Sequence, residues 1–142
     1  MKRHLLPLIF LVAFCVNGFA QHANSQNAPC PSFPCIVASI SLLNQTVSVS
    51  QVPIYTPATN GVFRVTYYFE PNARGIGGSW LLTFGWRDDV KQETIPPVLV
   101  QSGSYVSYAL PVRDLAGYPI VYSVMSNTGG SYSLFVIVEQ VQ

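Results

Sequence analysis

"GVFRVTYYFEP", residues 61–71, decides the fold of this chain. Phe63, Val65, Tyr67 and Phe69 fall on one side of an extended backbone, and Arg64, Thr66, Tyr68 and Glu70 fall on the other. A period of two is the signature of a strand, and an apolar side opposite a mixed one belongs to an antiparallel sheet with one face on a core.

The same period recurs in both directions. In "IVASISLL", residues 36–43, Ile36, Ala38, Ile40 and Leu42 share a side, and "QTVSVSQV", residues 45–52, is expected to turn Val47 and Val49 inward against Thr46, Ser48 and Ser50. Downstream, "SWLLTFGW", "VKQETI", "SYVSYALPV", "PIVYSVMS" and "SYSLFVIVEQV" read as strands, separated by "NARGIGG", "IPPVLVQSG", "RDLAGY" and "NTGG". No stretch carries an amphipathic helical repeat. About eight short strands with turn chemistry between them predict an all-β domain over residues 36–142, an antiparallel β-sandwich of jelly-roll or immunoglobulin-like topology.

The N-terminus has a different grammar. Lys2, Arg3 and His4 precede an apolar run from Leu5 to Val16, and Gly18 and Ala20 stand at small-residue positions, so residues 1–20 read as a secretory signal peptide cleaved after Ala20. The run is too short for a membrane anchor. Cys15 does not fit a lipoprotein site, since bulky Phe14 precedes it and the apolar run is unfinished there. Loss of Lys2 and Arg3 takes the net charge from +1 to −1, which leaves no basic patch for nucleic acid. With 9% charged against 49% hydrophobic residues, charge repulsion between copies is weak. The expected compartment is the periplasm or the exterior.

Residues 21–35 read as a flexible segment that ends in "APCPSFPC". Cys30 and Cys35 are the only cysteines left after cleavage, and in an exported chain they predict a short disulfide stapling the entry to the fold. Four residues between them is not the redox spacing, two ligands do not complete a zinc site, and His22 is the one remaining histidine. No metal or other cofactor is expected.

"WLLTFGWRDDVKQETIPP", residues 80–97, holds both tryptophans and the densest charge. Strand alternation places Trp80, Leu82, Phe84 and Trp86 on one face, which is expected to be the core face and not a sugar platform. Arg87, Asp88 and Asp89 are expected to form a three-residue loop pairing Trp86 with Val90 and sending Lys91 and Glu93 outward. The alternative is a weak cation site of Asp88, Asp89 and Glu93, although calcium takes six or more oxygens. Adjacent acids seldom reach the separations that glycoside hydrolysis demands.

Other catalytic patterns are missing. No histidine follows Gln26, Gly-x-Ser-x-Gly does not occur, and "RGIGGS", residues 74–79, has neither the lysine nor the helix that cradles a phosphate. Asn44-Gln45-Thr46 matches a glycosylation sequon, a motif too short to carry weight.

The order of a Pro-x-x-x-Gly turn, a Phe-Arg-Val-x-Tyr-Tyr strand, a Gly-rich loop, a Trp strand and a terminal aromatic-apolar strand resembles the jelly roll of complement globular heads and tumour-necrosis-factor-like domains. More closely, "YTPATNGVFRVTYYF", "LTFGWRDD" and "YSLFVIVEQV" look like a group of small uncharacterised bacterial exported and phage-associated proteins, over roughly Val37 to Val141. These motifs are strand patterns, so the resemblance implies a fold and no catalytic residue.

Three functions are weighed. The first is a non-enzymatic exported sandwich presenting surface to a protein partner, a cell envelope or its own copies. The second is a carbohydrate-binding module using Tyr68 or Tyr118, and the third, with least support, is a small hydrolase. In "SYSLFVIVEQV" Tyr132, Leu134, Val136 and Val138 share the core side, while Phe135, Ile137 and Val141 make a second apolar row that needs a cover. Phe33 and Ile36 of the N-terminal segment could supply it, or another subunit could, and the complement-head resemblance implies a trimer with Phe135 and Ile137 in the contact.

Overall fold

The computed structural model describes residues 23–25 (backbone), 30, 32–72, 78–127 and 129–142. The expected signal peptide, with Cys15, and His22 lie outside the described residues, as does most of "RGIGGS". All regular elements described are strands: β1 (Ala23–Ser25), β2 (Cys35–Gln45), β3 (Val49–Tyr55), β4 (Gly61–Asn72), β5 (Ser79–Arg87), β6 (Gln92–Thr94), β7 (Val98–Gln101), β8 (Val106–Asp114), β9 (Ile120–Ser126) and β10 (Ser131–Gln140). Among the described residues no helix is long and apolar enough to cross a membrane.

Two antiparallel sheets form. Sheet A runs β1-β2-β10-β4-β8, and sheet B runs β3-β9-β5-β6, with β7 also paired to β5. Because β6 pairs with Gly85–Arg87 and β7 with Ser79–Leu82, the two act as one edge strand interrupted by Ile95, Pro96 and Pro97. Prolines cannot donate to a ladder, which explains the interruption. Counted so, eight strands remain besides β1, and from β2 onward the chain crosses between sheets at every connection except those linking β5, β6 and β7. This order is a jelly roll, and it rules out the immunoglobulin-like alternative.

The central strands obey the period of two. Phe63, Val65, Tyr67 and Phe69 of β4, Trp80, Leu82 and Phe84 of β5, and Tyr132, Leu134, Val136 and Val138 of β10 are all buried. Rings meet across the sandwich: Trp80 lies 4.8 Å from Tyr132 and Tyr67 lies 4.9 Å from Phe84, centroid to centroid.

Alternation fails where the backbone leaves regular pairing. A register shift pairs Val138 with Ala38 but Glu139 with Ile36, so Val37 is passed over and turns inward. Val37 is therefore buried beside Ala38, and Ile36, expected inside, is 52% exposed. Val47 is also exposed, because β2 ends at Gln45 and β3 starts at Val49, which leaves Val47 in the turn. Val49 is only half-buried. Two strands were missed in the sequence. Val98–Gln101 pairs with β5 although its flanking prolines read as loop, and Ala23–Ser25 adds a short strand to the edge of β2.

Candidate interaction face and polar end

The turn after β5 differs from its expected form. Trp86 pairs with Glu93 and Arg87 with Gln92, so the loop spans residues 88–91 and Val90, expected opposite Trp86, is 82% exposed. The Asp88 backbone N–H donates to the Lys91 carbonyl at 3.1 Å. The Asp88 Oδ1 accepts from the backbone N–H groups of Val90 and Lys91, each at 2.8 Å, and this pair holds its carboxyl below the ordinary 3.8. Asp89 pairs instead with Arg113 at 2.7 Å and Glu93 with Lys91 at 3.4 Å. Each acid of the candidate cation site thus has a local partner, and no three acids, histidines or cysteines gather at metal-holding distance among the described residues. Trp86, at the strand's end, is half-buried, unlike Trp80.

Cys30 and Cys35 are bonded, with Cα atoms 6.0 Å apart, inside the range a disulfide spans. Cys35 opens β2 and faces Gln140 of β10, so the staple sits at the entrance to sheet A.

Sheet A turns a second apolar row outward. Phe135 is 38% and Ile137 40% exposed, although β10 is paired on both sides. Ser41 and Tyr68 flank Phe135, and Ser39 and Thr66 flank Ile137. Ile137 therefore stands above smaller neighbours on both sides, and Phe135 does so on the β2 side. Tyr68 leans on Phe135, with centroids 6.2 Å apart, and stacks on Tyr105 at 5.4 Å. Its hydroxyl donates to Glu70 Oε2 at 3.1 Å; burial, then the Glu70 bond, raises its pKa. At the far side the row is bounded by Arg64, whose Nε donates to Glu139 at 2.7 Å. That bond holds the Glu139 carboxyl below its ordinary 4.5. Phe33 and Ile36, the proposed intramolecular cover, are themselves more than half exposed.

Tyr118 belongs to another region. Its ring lies under the Arg87 guanidinium at 5.0 Å, near Asp114 at the opposite end of β4 from Tyr68. The two candidate ligand-facing tyrosines do not share a site.

Sequence reasoning passed over two features. Asp114 is fully buried: its Oδ1 accepts from the backbone N–H groups of Arg87 at 3.0 Å and Leu115 at 3.1 Å, while Oδ2 has no partner among the described residues. Burial raises its pKa. Its signal was present, since Asp114 continues the even register of Val106, Tyr108, Leu110 and Val112. The second feature is the end of the sandwich beyond Glu70, where two adjoining depressions of about 690 and 430 Å³ share Asn44, Asn72 and Ser131. The Asn72 amide points at Asn44 Oδ1, 3.5 Å away, and the Ser131 hydroxyl donates to the Asn72 carbonyl at 3.1 Å. Asn44 holds φ at +51°, a left-handed conformation that asparagine tolerates.

No family model and no curated protein matches this chain. Among solved structures, the protein of disulfide-linked Bacillus endospore appendages is similar at 10% identity and a TM-score of 0.45, over 84% of this chain and 98% of that one. The CBM22-1 xylan-binding domain of Paenibacillus barcinonensis Xyn10C aligns at 12% identity and a TM-score of 0.46, covering 89% and 83%. The Eiger TNF of S. frugiperda aligns at 16% identity and 0.40, covering 77% and 69%.

Proposed function

We propose that the chain is an exported, non-enzymatic jelly roll that works by presenting the outer face of sheet A to other molecules, in the first place to copies of itself. The observation that carries this reading is the Phe135–Ile137 row, partly exposed on a strand in the interior of the sheet and rimmed by the Arg64–Glu139 pair and by Glu70. Apolar knobs inside a polar rim are the anatomy of an association surface. The low charge of the chain offers little resistance to assembly. The exported setting rests on the Cys30–Cys35 bond and on the N-terminal pattern of residues 1–20. The trimer implied by the resemblance to complement heads is the assembly proposed.

Sedimentation velocity of the exported protein tests this. The expected result is a concentration-dependent oligomer that Phe135→Ser with Ile137→Thr converts to monomer without loss of the fold. A monomer at high micromolar concentration, or an oligomer indifferent to both changes, refutes the reading. Intact mass of the exported chain checks the cleavage after Ala20.

A further inference from the structure

Beyond self-association, we infer that the polar end of the sandwich is a binding site for a neutral oligosaccharide, built from Asn44, Glu70, Asn72 and Ser131 with Tyr105 at its rim. The argument starts from what lines the two depressions. They offer two carboxamides, one carboxylate and the hydroxyls of Thr46 and Ser131, a mixture of donors and acceptors with the chemistry of a polyol's partners. Among the described residues the lining holds no lysine or arginine, and its polar groups are amides, hydroxyls and the Glu70 carboxylate. A single carboxylate falls short of a calcium cage. Slightly more than half of the lining is polar, whereas a lipid or an aromatic ligand takes a predominantly apolar pocket.

An aromatic ring completes the constellation. Tyr105 stands two residues after Gly103, which lines the smaller depression, lies outside the lining itself, and is 67% exposed. It is not a loose surface ring, because Tyr68 stacks on it at an interplanar angle of 25°. The same Tyr68 donates its hydroxyl to Glu70 Oε2, so one residue orients both the ring and the carboxylate. A pyranose presents apolar C–H groups on its faces and hydroxyls around its edge, and an exposed ring beside amide and carboxylate groups matches both. The two depressions adjoin through Asn44, Asn72 and Ser131, which leaves room for a ligand longer than one sugar ring.

Titration calorimetry with neutral hexasaccharides of glucose, xylose, mannose and N-acetylglucosamine, and oligogalacturonate as the anionic control, decides the matter. The expected result is saturable binding of at least one neutral sugar at about 1 mM or below, weakened at least tenfold by Tyr105→Ala and by Asn72→Ala. Tyr105→Phe, which keeps the ring, should retain binding, and Tyr118→Ala, at the opposite end of β4, should not alter it. Ile137→Thr alone, flanked by Ser39 and Thr66 and not by Tyr68, tests the association face and should leave sugar binding intact, so the two proposals fail separately. Absence of saturation by every neutral sugar at about 10 mM, tighter binding of oligogalacturonate, or binding unmoved by both alanine variants overturns the site.

Discussion

Replacing each tryptophan in turn separates a core ring from a strand-end ring. Trp80 is fully buried and packs on Tyr132 at 4.8 Å, whereas Trp86 is half-buried beside the 88–91 turn. A buried tryptophan removes about 150–250 Å² from water, worth about 4–6 kcal/mol at about 25 cal/mol per Å². Alanine keeps a small part of that, so Trp80→Ala should cost about 3–5 kcal/mol. Trp86→Ala should cost roughly half as much, on the order of 2 kcal/mol, since part of its ring stays wet in the fold. At roughly 4 °C per kcal/mol for a domain of this size, the drops in Tm are about 12–20 °C and about 8 °C. Trp80→Phe sharpens the test. The Trp80 Nε1–H has no acceptor among the described residues, and removing such a donor recovers about 1–3 kcal/mol against a comparable loss of packing. The phenylalanine variant should therefore melt close to wild type. Thermal unfolding followed by circular dichroism measures all three. Equal costs for the two alanine variants, or a Trp80→Phe variant as unstable as Trp80→Ala, would refute the burial argument.

The remaining expectations are narrower. Asp88→Asn with Asp89→Asn should change stability by less than about 1 kcal/mol, since asparagine keeps the turn acceptor and the Asp89–Arg113 pair is exposed; a strong calcium-dependent rise in Tm that only the wild type shows would establish the cation site instead. Asp114 titrates in the opposite sense to Asp88 and Glu139. Its raised pKa means the folded chain takes up this proton at higher pH than the unfolded chain, so its contribution to stability improves as pH falls towards the ordinary 3.8. Asp88 and Glu139 are held down, stabilise the fold at neutral pH, and lose that contribution as pH falls through their ordinary 3.8 and 4.5. Urea midpoints between about pH 7 and pH 4.5 should therefore rise in the wild type and flatten in Asp114→Asn; identical profiles would remove this role for Asp114. Gly61→Ala should cost about 1–3 kcal/mol, because the new Cβ would stand 2.9 Å from the Gln142 carbonyl oxygen, part of the backbone clamp joining Val62 to Val141 and Gln142; an unchanged denaturation midpoint would show that the clamp yields. Cys30→Ser with Cys35→Ser should lower stability by on the order of 2 kcal/mol, read from the same midpoints, and equal stability would mean the staple constrains nothing.

How much could be read from the sequence follows from how local each cause is. In β4 and β5, and in β10 on its β4 side, the pairing is regular along the buried run, and the alternation of apolar residues is sufficient to assign their core faces. Val37 was misassigned because a bulge is set by the partner strand, and nothing in "IVASISLL" announces a shift opposite Glu139. Val47 was misassigned because the apolar period ran on through a turn. In the turn after β5 the acids were recognised as turn residues, but the loop length depends on how Asp88 Oδ1 collects two amides. Of the proposed association face, Phe135 and Ile137 are legible as the odd register of β10. Tyr105 is not, because its partner Tyr68 is brought near only by the pairing of β4 with β8. Asn44, Asn72 and Ser131 come from three separate strand ends, and no linear motif joins them.

The edges of the sheets bear on where association can occur. A sandwich leaves four edges, and an open edge recruits strands indiscriminately. Here β3 is broken by register shifts and carries Pro53 and Gln51 with φ at +50°, and β6 and β7 are parted by Pro96 and Pro97. The β2 edge is partly covered by β1, and β8 carries Pro111 in the interior of the strand. Pro111 pairs with Arg64 within an otherwise unbroken register, which is tolerated where its ring nitrogen faces away from the ladder, on the open side of an edge strand. Each edge is thus blunted by a residue or segment that costs it ladder bonds, while the outer face of sheet A keeps Phe135 and Ile137 exposed. For a chain with so little charge, blunted edges beside the partly exposed Phe135–Ile137 row favour the proposed self-association by side-chain packing across a face over strand pairing at an edge. Oligomers of the wild type should therefore show no growth into strand-paired fibres, and their dissociation should follow loss of the two side chains and not the addition of strand-breaking residues at the edges.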